Sequence, residues 1–329
     1  MRKPKYKTET ETKFYIIAGS LADLSKFDFS SFNTQCIKVN SDMLDSICDG
    51  MTDDEFSNRT KELLKEISVK FRKSEQPFVL LPIDFTKEFI EKNLISCYEL
   101  ILLLFPGDLA IYGLINFQLF DYKYIHLNSY LEYGFYSSGR ENYYDNFVYY
   151  QEDSLGEINR FIKLYNERKN GIEYLETTVN GYISSFRELR PDMAFLNLCI
   201  SLESIVEGNT ELSYRIKRNV AILCAENKHY AEKIFDNLNL IYGLRSRIVH
   251  AGKFKYEKVD EYLPYLQSLV SRLIIELILQ NIQSLSVLNR SLIFAGFGDR
   301  KELITDSDYE PMTLNISSYV DTFVEELKK

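Results

Sequence analysis

The chain has 329 residues, 45% of them hydrophobic and 26% charged, with 39 Lys or Arg against 48 Asp or Glu for a net charge of −9. That balance is globular. It excludes disorder as the main state and argues against a general nucleic-acid coat, while leaving room for a local basic cleft. The length accommodates about two domains of ~150 residues. The longest charge-free stretch, 277–289, has 13 residues, short of the roughly 20 that a bilayer helix needs. The N-terminus is basic and lacks the apolar centre of a signal peptide. The expectation is a soluble cytoplasmic protein without a membrane span.

In chain order, 14–17 and 78–83 are short apolar runs rich in aromatic and β-branched residues and read as strands. Segments 53–73 and 89–105 show helical spacing. Residues 106–150 hold 14 aromatics in 45 positions, more than twice the density of the whole chain, and alternate loosely as strands do. Residues 1–150 therefore read as an α+β domain. From 155 onward the pattern is helical. Helices are predicted over 155–169, 172–189, 193–206, 211–225, 230–250 and 259–288, with Pro191-Asp192 opening the third. The last carries Tyr262, Leu266, Leu269, Leu273 and Leu277 on one stripe. An all-α domain over 155–295 is expected, with an acidic, unassigned tail over 296–329.

Cofactor and metal chemistry finds little support. The five cysteines (Cys36, Cys48, Cys97, Cys199, Cys224) are scattered, with no CxxC pair or Cys/His cluster at zinc spacing. His126, His229 and His250 are the only histidines, and no two are within four residues of each other. No metal and no cofactor are expected. His126 among tyrosines reads as a packed or surface histidine, and His229 as a helix start. The aromatic run over 106–150 serves a sheet core, or else stacks nucleobases.

One side chain does not fit its helix. With Ile241 at zero and 100° per residue, Ile248, Leu244, Leu238, Val249 and Phe235 fall on one apolar arc, and Arg245 lies at about 40°, near its middle. An unpaired guanidinium on such an arc costs several kcal/mol, so Arg245 needs a partner, a cleft or a second subunit. His250 falls about 140° away from it. Ala251-Gly252 then offers a helix end. Residues 212–255 hold nine basic residues (Arg215, Lys217, Arg218, Lys228, Lys233, Arg245, Arg247, Lys253, Lys255) against three acidic ones. A phosphate-bearing ligand requires such a field, although a solvated helix face produces one too.

The run Leu240-Ile241-Tyr242-Gly243-Leu244-Arg245-Ser246-Arg247-Ile248-Val249-His250-Ala251-Gly252 resembles the Arg-x4-His signature of HEPN domains, in particular their Apea-like branch. The helix around Leu198–Ile205 with its Glu203, and Tyr214-Arg215-Ile216 with Val220-Ala221, resemble that family's preceding helices. The resemblance covers about 172–290. It departs at Ala251, where a glycine often directly follows the histidine, and it leaves the first 150 residues unexplained. It implies a HEPN-type helical bundle that dimerises through the helical domain, and a metal-independent endoribonuclease acting as a toxin or antiphage effector. RNA would supply its 2′-hydroxyl as nucleophile, leaving a 2′,3′-cyclic phosphate and a 5′-hydroxyl. An imidazole exchanges protons near neutral pH, and a guanidinium matches phosphoryl oxygens. His250 and Arg245 are thus the catalytic candidates. Glu203 orients Arg245 or forms a purely structural ion pair, and Ser246 bonds a phosphate or caps locally. Arg215, Lys217, Arg218, Arg247 and Lys253 are candidates for the RNA path. Residues 1–150 would sense a trigger or restrain activity. A catalytically silent RNA- or nucleotide-binding or scaffolding module is the alternative.

Overall fold

A computed structural model describes residues 12–19, 24–38, 76–84, 90–104, 106, 109–117, 119–120, 123–124, 155–188, 190–208, 210–251, 254–299 and 303. By contacts the chain divides into two units. The first comprises Met1–Tyr98 with Asp108–Ser137, and the second Glu99–Gly107 with Ser138–Lys329. The helix expected over 53–73 and much of the aromatic run lie outside the described residues.

In the first unit, β1 (Thr12–Gly19), β2 (Thr34–Lys38), β3 (Gln76–Pro82) and β4 (Leu109–Phe117) form an antiparallel sheet in the order β2-β3-β1-β4. Tyr15 stands opposite Leu80 on one side and Leu114 on the other, and the register with β4 shifts between Ile16 and Ile17. Cys36 pairs with Leu80, and the two share a buried face, as the period-two alternation of strands requires. A second pairing joins β5 (Leu119–Phe120) to β6 (Lys123–Tyr124). Helix α1 (Ile90–Leu104) follows β3 and buries Leu94, Cys97, Tyr98 and Ile101, its residues from Glu99 onward belonging to the second unit. Strand β2 has no counterpart in the predicted elements.

The second unit is helical. Its elements are α2 (Leu155–Arg168), α3 (Leu175–Arg187), α4 (Pro191–Glu203), α5 (Leu212–Cys224), α6 (Lys228–Ala251), α7 (Tyr256–Gln280) and α8 (Leu285–Phe294). Pro191 occupies the first turn of α4, where its missing N–H costs nothing. Helix α7 is the centre of the unit and packs against α2, α3, α4 and α5. By length and mean hydropathy it is apolar enough to cross a bilayer, yet 94% of its most apolar window is buried inside the unit, which is how the core helix of a packed bundle reads. Its end is held by Arg168, whose Nη1 donates to the carbonyls of Ile278 and Leu279, and by Tyr174 Oη, which donates to Ile282 O. Ser271 Oγ and Tyr182 Oη donate to Leu103 O and Leu102 O at the end of α1.

The helix expected over 259–288 is two helices. Asn281 adopts φ +51° and donates its N–H to Leu277 O, closing α7, and α8 starts after Ser284. The left-handed conformation suits asparagine better than other non-glycine residues. The apolar stripe meets Gln280, Asn281 and Ser284 at the break and resumes at Leu288, and the cap at Asn281 ends α7 there.

Candidate nucleic-acid interface

Helix α6 carries the Arg245–His250 motif and packs against α5 and α4. Its inner side buries Ile234, Leu238, Ile241 and Leu244. Arg245 leaves this side toward α4, where Nη2 lies 3.2 Å from Glu203 Oε1 and 3.5 Å from Oε2. The two side chains keep only 30% and 23% exposure. Glu203 is the last residue of α4. The partner demanded by an arginine on an apolar arc is thus supplied within the chain.

Two further side chains complete this cluster, and both escaped the sequence reading. Cys199, one turn before Glu203, is buried, and burial drives its thiol far above the usual range, with the Glu203 charge adding and the Arg245 charge opposing. Tyr242, three residues before Arg245, is pushed up in the same way, first by burial and then by Cys199 and Glu203. Its buried hydroxyl has no hydrogen-bond partner among the described residues. The signal for both was spacing: Cys199 and Tyr242 stand one turn from Glu203 and Arg245 on facing helices.

His250 lies at the other side of α6. The helix is continuous through Ala251, so the 140° between Arg245 and His250 is not removed by a distorted end, and their side chains leave the axis in different directions. His250, Ser246 and Arg247 are exposed. Among the described residues neither the Arg247 nor the His250 side chain has a hydrogen bond or an ion pair.

Three further cations of the motif region, Arg215, Lys217 and Arg218, are engaged within the chain. Arg215 Nη1 donates to Glu207 O at 2.6 Å, and Nη2 reaches Asn289 Oδ1. Arg218 donates to Leu292 O and Ala295 O, closing the C-terminal carbonyls of α8. Lys217 donates to Asn239 Oδ1 at 2.6 Å and lies 5.5 Å from the centre of the Phe235 ring. Lys253 lies outside the described residues. Among the described residues no group of three or more His, Cys, Asp or Glu side chains is placed to hold a metal ion.

Comparison of the chain with protein-family models, with curated proteins and with solved structures finds no match in any of the three.

Proposed function

We propose that the protein is a metal-independent endoribonuclease of the HEPN type, with an α+β N-terminal domain that senses a trigger or restrains activity and a helical domain that cuts RNA. One observation supports this reading above the others: an arginine and a histidine of the Arg-x4-His motif stand on one long helix, the arginine braced by Glu203 and the imidazole open to solvent at the helix end. In the proposed reaction His250 takes the proton of the RNA 2′-hydroxyl. The 2′-oxygen bonds to phosphorus as the P–O5′ bond breaks, and O5′ receives a proton from the imidazolium. The strand is divided into 2′,3′-cyclic phosphate and 5′-hydroxyl ends with no water consumed. Arg245 stabilises charge on the phosphoryl oxygens. Because its side chain diverges from His250 within one copy, the cleft is proposed to form between two copies of the chain, each contributing its motif.

The test is incubation of the purified full chain with single-stranded RNA in EDTA, with the new ends identified chemically. Cleavage to cyclic-phosphate ends that disappears in His250→Ala supports the proposal. Intact RNA with the wild-type protein, or equal cleavage by His250→Ala, overturns it. The engagement of Arg245 by Glu203 favours a second reading, a silent RNA-binding module, in which RNA is retained with its ends unchanged.

A further inference from the structure

Arg245 faces α4, so the surface around His250 must be read for itself. On a helix the neighbours of a residue are those three and four positions away, with Cβ atoms about 5–6 Å apart. For His250 these are Arg247 and Ser246, both exposed. Two turns back on the same stripe, roughly 10 Å along the axis, stands Gly243. It is exposed, and a Cβ built on it would meet nothing within 4 Å.

Among the described residues nothing packs on that glycine, its φ is not in the left-handed region, and glycine within a helix is unfavourable relative to alanine. What it does provide is an open notch beside the α6 backbone. The charges that α6 itself places beside the notch are of one sign. Residues 237–251 contain no Asp or Glu. Going back along this stripe, the first carboxylate is Asp236, about 16 Å from Arg247 along the axis. Arg215, Lys217, Arg218 and Arg245 each commit at least one donor within the chain. Arg247 has no such partner among the described residues.

Resting on the ribonuclease reading above, we propose that Arg247 is a catalytic residue that binds the scissile phosphodiester beside His250 on the same helix face, with the notch at Gly243 admitting the RNA backbone. A planar guanidinium one turn from the imidazole presents paired N–H donors to the phosphoryl oxygens while the imidazole handles the proton. Ser246, on the other flank, adds a hydroxyl donor.

The test compares Arg247→Ala, Arg247→Lys, Gly243→Ala, Gly243→Leu and His250→Ala in the full chain. Each is assayed for cleavage of a single-stranded RNA and for binding of the same oligonucleotide made non-cleavable with 2′-deoxy sugars, and each is checked for its melting temperature. All three positions are exposed, so folding is retained. The expected result is a fall in kcat of about 100-fold or more for Arg247→Ala, the usual cost of removing one donor to developing charge. Arg247→Lys should restore part of that loss. Gly243→Ala should melt higher than wild type yet cleave more slowly, and Gly243→Leu should lose binding of the 2′-deoxy strand. If Arg247→Ala and Gly243→Leu cleave and bind as wild type while His250→Ala is inactive, this inference is overturned and the ribonuclease reading stands. If the wild type leaves RNA intact, or His250→Ala cleaves normally, the ribonuclease reading itself fails and takes the inference with it.

Discussion

Glu203 at the end of α4 and Arg245 on α6 meet at 3.2 Å across two packed helices, each less than a third exposed. Such a pair lies between the surface case, worth up to about 1 kcal/mol, and the buried case, where removing one partner costs about 3–5 kcal/mol. Glu203→Ala should therefore lower unfolding free energy by about 1–3 kcal/mol, since it leaves the guanidinium beside buried Cys199 and Tyr242. The double variant Glu203→Ala/Arg245→Ala should lose less than the sum of the two single changes, with a coupling of about 1 kcal/mol. Urea denaturation of the four proteins gives the cycle. Strict additivity would show that the contact carries no energy.

A different balance governs Arg272 and Glu276, one turn apart on α7, 2.7 Å from each other and both wholly buried. The Nε, Nη1 and Nη2 atoms of Arg272 lack a well-oriented hydrogen bond among the described residues. Burying two charges with donors unspent is expensive, and the mutual attraction offsets that cost only partly. Arg272→Met alone should destabilise by about 3–5 kcal/mol, because the wholly buried Glu276 loses the guanidinium 2.7 Å away. Arg272→Met/Glu276→Leu should recover most or all of that loss and is expected to equal or exceed the wild type. Thermal and urea unfolding of both variants decide the matter, and a double variant as unstable as the single one would contradict it.

Tight packing makes the third prediction. Gly181 on α3 faces α4 so closely that an added Cβ would clash with Ser201 Oγ and lie 2.8 Å from the backbone oxygen of Asn197. Ser201 Oγ is itself committed to Thr178 O and Asn197 O. The helix gains up to about 1 kcal/mol from alanine in place of glycine, yet the backbone of α4 has to move to admit it, at a cost of about 1–3 kcal/mol. Gly181→Ala should thus lower the melting temperature, whereas the same change at open Gly243 should raise it. Two melting curves settle the contrast. A higher melting temperature for both would mean that α3 and α4 separate at little cost.

The helical unit was legible because its helices bury one side each: apolar spacing located α2 through α6 to within a few residues of their ends. The end of α7 was missed because Ile282, Leu285 and Leu288 keep the segment apolar, although the stripe itself meets Gln280, Asn281 and Ser284. Strand β2 was missed because Thr34-Gln35-Cys36-Ile37-Lys38 has only weak β-branched content, and it is the pairing with β3 that makes it a strand. At the candidate site, the conflict between a charge and an apolar arc pointed to Arg245 as a side chain in need of a partner. Spacing also fixed the angle between Arg245 and His250. What spacing could not supply were the commitments of Arg215 and Arg218, because their acceptors on and beside α8 lie 74 to 77 positions away in sequence. The positive field of 212–255 is accordingly smaller in available donors than the residue count implies.

Alkaline pH should weaken the second unit, and the sign follows from three groups. Burial raises the Cys199 thiol and the Tyr174 and Tyr242 phenols above their ordinary values, with the Glu203 charge reinforcing the first and third. The folded state therefore keeps these protons at pH values where the unfolded chain releases them. Stability from Cys199 is fully present below the unfolded thiol value near ~8.5 and falls as pH rises beyond it, with the two tyrosines adding to the loss above about 10. Urea midpoints measured at pH 7.0, 8.5 and 9.5 should decline over the last interval, and Cys199→Ala should flatten that decline. The same burial implies that Cys199 in the folded protein resists a thiol reagent at pH 8 and reacts once urea unfolds the chain. A midpoint independent of pH up to 9.5, or rapid labelling of Cys199 in the native state, would show that the thiol beside Glu203 and Arg245 is reached by water.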